Sequence, residues 1–352
     1  MLVRELDERD NIVWDHLVGE SPQGNVFLRA EWLAGLCATD PDLHARRFGC
    51  FEEARLLAGQ AVIAHRRWGV WLTPPFEFFY CGPLLAPALP ATLQVQVQAD
   101  LAREIARHFA FVAFETHPSL SDVRGWLEAG WDVGAVYTHR WQMRDPAAVW
   151  QAMNREKRRA IKHARAQFAF SHDESDATLA EFLPLYHQTM RKFSWHPSPK
   201  WEAIFRARFR WMAARGSCRL HTARLPNGEL VGGVVTLISP PDRTAYLFRQ
   251  GSNPALLDTG LIPALYWHAA NDLAGEIEFV NFGGSPQPSL SRFKDFLGAE
   301  AMLHFHIARV NDPARWRMYT TALAAKNAAY NFLMRFARRP LQSLWHRNYA
   351  HA

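Results

Sequence analysis

The chain has 352 residues, a formal net charge of +6 and a pI near 9.3, with 14 Trp and 23 Phe to fill large cores. The length suits two domains, and no uncharged apolar run approaches the length a membrane-spanning helix needs. The charged start MLVRELDERD lacks the apolar segment of a signal peptide, and Cys37, Cys50, Cys81 and Cys218 have no paired spacing. These features exclude a disulfide scaffold, a zinc module and a membrane-spanning protein. They predict a soluble, cytoplasmic protein whose cysteines are small buried side chains in a reducing compartment.

The first predicted helix lies in NVFLRAEWLAGL, entered from an extended segment. Successive strands follow in RRFGCFEEARLLAGQAVIAHRRWGVWLTPP, with FEEARLLAG a turn or short connection. A Pro-rich loop leads to a helix over 92–107, where Leu93, Val97, Leu101, Ile105 and Phe109 recur at helical spacing. A strand over 111–114, a helix over 121–128 capped by Ser121 and a strand over 131–143 complete a β-α-β unit.

Asp145-Pro146 opens a long predicted helix reaching to about residue 167, with an apolar side formed by Trp150, Met153, Ala160, Ile161 and Ala164. A second amphipathic helix covers 179–193 and a third covers 201–214, separated by the Pro-broken loop FSWHPSPKW. Strands over 218–225 and 229–239 join through Asn227-Gly228, a strong hairpin signal, and a third strand covers 244–249. A helix (259–274), a strand (277–282), the short helix LSRFKDFLG and a strand (302–310) follow. A basic helical tail begins after Pro313.

Two stretches repeat. Phe111, Val112 and Phe114 match Phe279, Val280 and Phe282; Ser119, Leu120 and Ser121 match Ser289, Leu290 and Ser291; Leu127 matches Leu297. Only the later copy carries Gly283-Gly284 and the run RFKD. The fold class is therefore α/β (α+β), two similar units in series, each a mixed sheet flanked by helices. The first covers 1–144, joined by the tail 313–352, and the second covers 145–312.

The positive charge is local. Residues 151–166 hold six Lys or Arg against one Glu, and residues 312–352 hold seven against one Asp. Such runs suit phosphates, RNA or an anionic membrane, or form a solvated helix face. Arg158, Lys162 and Arg165 make one stripe, flanked by Arg159, and guanidinium forks bind phosphate bidentately. Gly283 and Gly284 permit a sharp turn or close approach to a ligand. Ser291 is placed to cap the following helix, whose Arg292 and Lys294 then reach an anion near its N-terminus. The other reading of the same residues is a tight turn with two solvated cations. Arg191, Trp195, His196, Tyr246 and Arg249 are candidates for a cleft, with Trp195 and Tyr246 as a stacking wall and His196 a general base by residue type. There is no metal-ligand spacing, no G-x-S-x-G and no P-loop.

The order of antiparallel strands, helix, strand, helix and strand resembles the GNAT acyltransferases. Four segments resemble the FemAB/FemX aminoacyltransferases and their wider acetyltransferase relatives: NVFLRAEW, NREKRRAIKHARAQF, the hairpin LPNGELVGGVVTL with TAYLFRQGS, and FVNFGGS with LSRFKDFLGAE. The resemblance implies two tandem GNAT-like units and an aminoacyl or acyl transfer to an amine or hydroxyl of a cell-envelope, peptidoglycan or polysaccharide precursor. It implies that Phe293 and Lys294 stand at the acyl-donor end, Lys294 contacting the donor or the oxyanion. Arg158, Arg159, Lys162, Arg191, Trp195, Tyr246, Arg249, Gly283, Gly284, Ser285 and Arg292 are the substrate-binding candidates. No cofactor or metal is expected to be bound; the donor is aminoacyl-tRNA or acyl-CoA.

Two departures stand out. Relatives often carry Asp where this chain has Asn281. The loop RQGSNPALLDTGLIP places Asn253 where the CoA-gripping pattern [RQ]-x-x-G-x-[GA] calls for Gly. The expected partners are an anionic small-molecule or lipid-linked phosphate substrate, tRNA, and an inner membrane face touched by the basic tail. An acyl-CoA-dependent N-acetyltransferase acting on a small molecule, and a non-catalytic RNA- or membrane-binding protein of this fold, are the alternatives.

Overall fold

The computed structural model describes residues 1–73, 79–192, 197–284 and 287–336. Trp195, His196, Ser285 and residues 337–352 of the basic tail lie outside them. In chain order the elements are β1 (Leu2–Leu6), α1 (Asn11–Glu20), α2 (Ala30–Thr39), β2 (His44–Glu52), β3 (Arg55–Arg67), β4 (Val70–Leu72), β5 (Leu84–Leu85), α3 (Ala91–Ala106), β6 (Phe111–Glu115), α4 (Arg124–Glu128) and β7 (Asp132–Gln142). Then come α5 (Pro146–Ala152), α6 (Arg155–Gln167), β8 (Ala169–His172), α7 (Asp176–Arg191), α8 (Pro199–Ala213), β9 (Cys218–Arg224), β10 (Leu230–Ser239), β11 (Thr244–Ser252) and α9 (Leu261–Asp272). The chain ends with β12 (Phe279–Gly284), α10 (Pro288–Phe296), β13 (Glu300–Val310) and α11 (Pro313–Phe336).

The chain divides into two compact units, residues 1–136 with 303–332, and residues 137–302. The first has the strand order β1-β2-β3-β4-β6-β13, all antiparallel neighbours except β4 and β6. Its core gathers Trp14, Phe27, Trp32, Phe48, Phe114 and Trp126, each under 3 % exposed.

The second has the order β7-β12-β11-β10-β9-β8, with β11 and β12 the parallel pair. The hairpin expected at Asn227-Gly228 joins β9 and β10 in antiparallel register. Every residue of β10 is buried, as a central strand covered on both faces requires. Trp141, Ile161, Leu265 and Leu297 belong to one buried cluster spanning β7, α6, α9 and the end of α10.

Several expectations change. The single helix over 145–167 is two helices. It breaks at Met153-Asn154, where the Asn154 side chain caps the new helix by accepting from the Glu156 N–H. A helix capped by Ser121 is replaced by the one-turn α4, which starts three residues later. Ser291 does not cap α10: the helix starts at Pro288, with Gln287 at the N-cap position, so Ser291 lies inside it. The repeat itself is present. In both copies a short strand is paired in parallel, β6 with β4 and β12 with β11, and then leads into a short helix. The four cysteines are free thiols, three of them buried, and burial raises Cys50 to about 11 and Cys81 to about 12.

Candidate functional site

The parallel pairing of β11 with β12 covers only Thr244↔Phe279, Ala245↔Val280 and Tyr246↔Asn281. Beyond it β11 continues to Ser252 along β10, while β12 ends at Gly284. The two strands part there: beyond Tyr246 and Asn281 they no longer pair, and the far end of β11 packs against α7, the Ser252 N–H donating to the Thr189 hydroxyl.

Local chemistry fixes the β12 side. Gly283 has φ +70, a left-handed conformation that glycine takes without steric cost. The Asn281 side-chain oxygen accepts from the Gly283 N–H at 2.8 Å and from the Thr138 hydroxyl at 2.7 Å, clamping the turn to β7. An amide oxygen does here what a carboxylate would do, so the Asn leaves this scaffold intact. The turn aims the carbonyls of Gly283 and Gly284 at α10. There the Lys294 ammonium donates to both, at 2.6 and 3.0 Å.

Lys294 is thus in the last turn of α10, packed inward and only 8 % exposed, rather than beside an anion at the helix N-terminus. Burial lowers its pKa to about 8. Two carbonyl acceptors favour the charged form, so it enters neutral solution as an ammonium with one of its three N–H groups uncommitted.

Sequence reasoning missed His139. It is 2 % exposed on β7, with Nε2 3.3 Å from both Asp295 and the Ser291 hydroxyl. Burial first, and then the Lys294 charge, lower its pKa. A neutral imidazole therefore holds α10 beside the lysine. The strand residues two away on either side, on its own face, are Tyr137 and Trp141, and nothing in THRWQ marks it as different from a core histidine.

On the β11 side, the Arg249 Nε and the Gln250 Nε2 are buried donors with no hydrogen-bond partner among the described residues. Buried donors are normally satisfied, and both of these lie on the part of β11 that has left β12. Tyr246 does not form a stacking wall: it is fully buried, and its hydroxyl donates to Asp242. Phe293 packs on Tyr266 and on the core, with the Lys157 ammonium 5.2 Å from its ring centre. It props α10 against the core of the second unit. Arg292 is exposed. Arg191 is also exposed and lines a cleft of 590 Å3 with His187, Gln188 and Arg206 between α7 and α8. On α6, Arg159 and Lys162 are exposed and have no acidic partner among the described residues, while Arg158 is turned back onto Gln151.

The loop after β11 is compact. Its first turn, Pro254–Thr259, is a 3-10 helix capped by the Asn253 side chain, which takes the Ala255 N–H. Gly260 closes it at φ +81, so near α6 that a Cβ would lie 2.5 Å from the Ala160 carbonyl oxygen. Among the described residues no group of His, Cys, Asp and Glu is arranged to hold a metal ion.

The second unit is thus an antiparallel meander whose last strand pairs in parallel with β12 and then parts from it, beside the helix that carries Lys294. Residues 151–295 match the acetyltransferase (GNAT) domain. No curated protein matches the sequence. Among solved structures, FemX superposes with a TM-score of 0.64 at 12% identity, covering 90% of this chain and 99% of its own. A tandem GNAT protein from the clavulanic acid biosynthesis pathway gives 0.54 at 11% identity (89% and 99%), and L-PGS from Bacillus licheniformis 0.50 at 10% (91% and 97%). The second unit thus contains a segment that matches a GNAT acetyltransferase domain, and the chain as a whole shares its fold with FemX and with the tandem GNAT protein.

Proposed function

We propose that this protein transfers an aminoacyl or acyl group to an amine or hydroxyl of a cell-envelope or polysaccharide precursor, at the opening between β11 and β12. Lys294 carries this reading. A buried ammonium, fixed by two backbone carbonyls and holding one free N–H, is suited to meet the oxygen that becomes negative when the acceptor's lone pair attacks the acyl carbonyl. The tetrahedral intermediate then collapses as the bond from the acyl carbon to the donor's ester oxygen or thioester sulfur breaks, and the proton given up by the acceptor's amine or hydroxyl passes to that departing oxygen or sulfur. Positioning and oxyanion stabilisation suffice for an activated acyl donor, so no triad is required. Arg249 and Gln250 supply further donors, and the Arg191 cleft supplies positive charge for an anionic acceptor.

The loop after β11 favours an aminoacyl ester over free CoA as donor. The Ala255 N–H, which would otherwise be free for a pyrophosphate, is spent on Asn253, and Gly260 is covered by α6. The test is a thermal-shift titration with acetyl-CoA, a charged tRNA and a nucleotide-diphosphate sugar, on wild type and Lys294→Met. Stabilisation by the charged tRNA or the diphosphate, weakened in the variant, supports the reading. Stabilisation by acetyl-CoA alone replaces it with a CoA-dependent acyltransferase.

A further inference from the structure

The hairpin between β3 and β4 in the first unit has a two-residue turn, since Arg67 pairs with Val70 and Arg66 with Trp71. Its central residues are Trp68 at φ +48 and Gly69 at φ +78. Both positions need left-handed backbone, which Asn, Asp and Gly accept and a bulky aromatic does not. Trp68 nevertheless sits there, 54 % exposed. Space around Gly69 is open: a Cβ added to it would meet nothing within 4 Å. The fold therefore holds an indole on a convex tip in a conformation that disfavours it.

The tip is not isolated. Trp68 meets the ring of Tyr319 on α11 at 6.2 Å. Tyr319 stacks on Trp316 at 5.7 Å, and Trp316 stacks on Phe111 at 3.8 Å. A row of rings thus runs from the core to solvent, with Met318 47 % exposed on the same helix. The charges around it are basic. Arg66 and Arg317 are exposed and have no acidic partner among the described residues, whereas Asp42 and Asp312 are already paired with Arg67 and Arg315. Among the described residues no helix is long and apolar enough to cross a membrane, so contact with a bilayer would be from one side.

We infer that the Trp68 turn and the first two turns of α11 form a docking surface for an anionic lipid bilayer. Indole and phenol rings with an apolar body and a polar edge settle at the level of the headgroups, and arginines beside them pair with lipid phosphates. A convex tip suits a fluid surface that closes around it, and the surplus of guanidinium groups complements negative headgroups. Its residues are other than those of the transfer site.

Vesicle flotation of the full chain tests it, with phosphatidylcholine vesicles containing or lacking phosphatidylglycerol. The variants are Trp68→Asn, which suits the turn better and leaves the melting temperature unchanged or higher, and Arg66→Gln with Arg317→Gln. Wild type is expected on the anionic vesicles and not on the neutral ones. Partitioning should drop about fivefold for each arginine removed, drop again for Trp68→Asn, and weaken with salt. Absence of wild type from the anionic vesicles overturns the inference, as does binding that none of these substitutions changes. A wild-type dimer that Trp68→Asn dissolves without affecting vesicle binding assigns the surface to a second copy instead, and also overturns it.

Discussion

Burial and backbone contacts act on Lys294 in opposite directions. Desolvation lowers its pKa to about 8, and the Gly283 and Gly284 carbonyls hold the proton in place below that. If the ammonium meets the oxyanion, transfer should fall as pH rises through about 8, and a pH–rate profile reads this directly. Lys294→Met should cost about 100-fold or more in rate, the scale of removing one oxyanion donor, while circular dichroism shows an intact fold. His221 provides a residue-scale test of stability. It is fully buried between Thr236 and Asp272, and burial holds its pKa near 4 against 6.5 in the open chain. Below pH 6.5 the unfolded chain takes up a proton that the folded chain refuses, so stability is lost as pH falls toward 4. The contribution is on the order of 3 kcal/mol. Urea unfolding at pH 7 and pH 4.5 should show a smaller pH-dependent loss in His221→Gln than in wild type; an unchanged loss would remove His221 from the explanation.

At the scale of elements, α6 and the turn before α9 depend on one glycine. Gly260 has left-handed backbone and touches the Ala160 carbonyl, so Gly260→Ala meets both a conformational cost and a collision with backbone. The left-handed term alone is about 1–2 kcal/mol, and chemical denaturation should report at least that. A neutral result would mean that α6 moves away freely and that the loop is not closed.

The elements also show what the sequence could tell. Asn227-Gly228 announced its hairpin because the turn needs those residues, and the 3.6-residue spacing of Phe182, Leu183 and Tyr186 announced α7, where all three are buried. The break between α5 and α6 was hidden, since Met153 continues the apolar side and Asn154 gives no sign that it caps rather than continues. The part-way separation of β11 from β12 was hidden too, because register is set by tertiary packing. For the same reason the inward turn of Lys294 and the role of His139 were not legible: RFKD reads equally as a solvated charge run, and a strand histidine beside Trp141 reads as core.

At the scale of the molecule, the repeat of FVAF as FVNF and the order of the elements carried the fold, because each unit must cover a mixed sheet with helices to bury it. The charge did not divide as simply. The excess on α6 remains exposed, and its partner should be a polyanion whose binding weakens with salt. Replacing Arg159 and Lys162 with Gln should weaken binding of a charged tRNA and flatten its salt dependence, as a filter-binding titration would show. If neither changes, α6 is a solvated face.

The central claim is that the opening between β11 and β12 receives the acyl donor, and hydrogen exchange measured by mass spectrometry tests it most directly. Acetyl-CoA and a charged tRNA would each be added to wild type and to Lys294→Met. The structure predicts that one of them slows exchange in residues 247–252 and around α10 in wild type, and that this protection is lost in the variant. Protection confined to other segments, or equal in the variant, would contradict it.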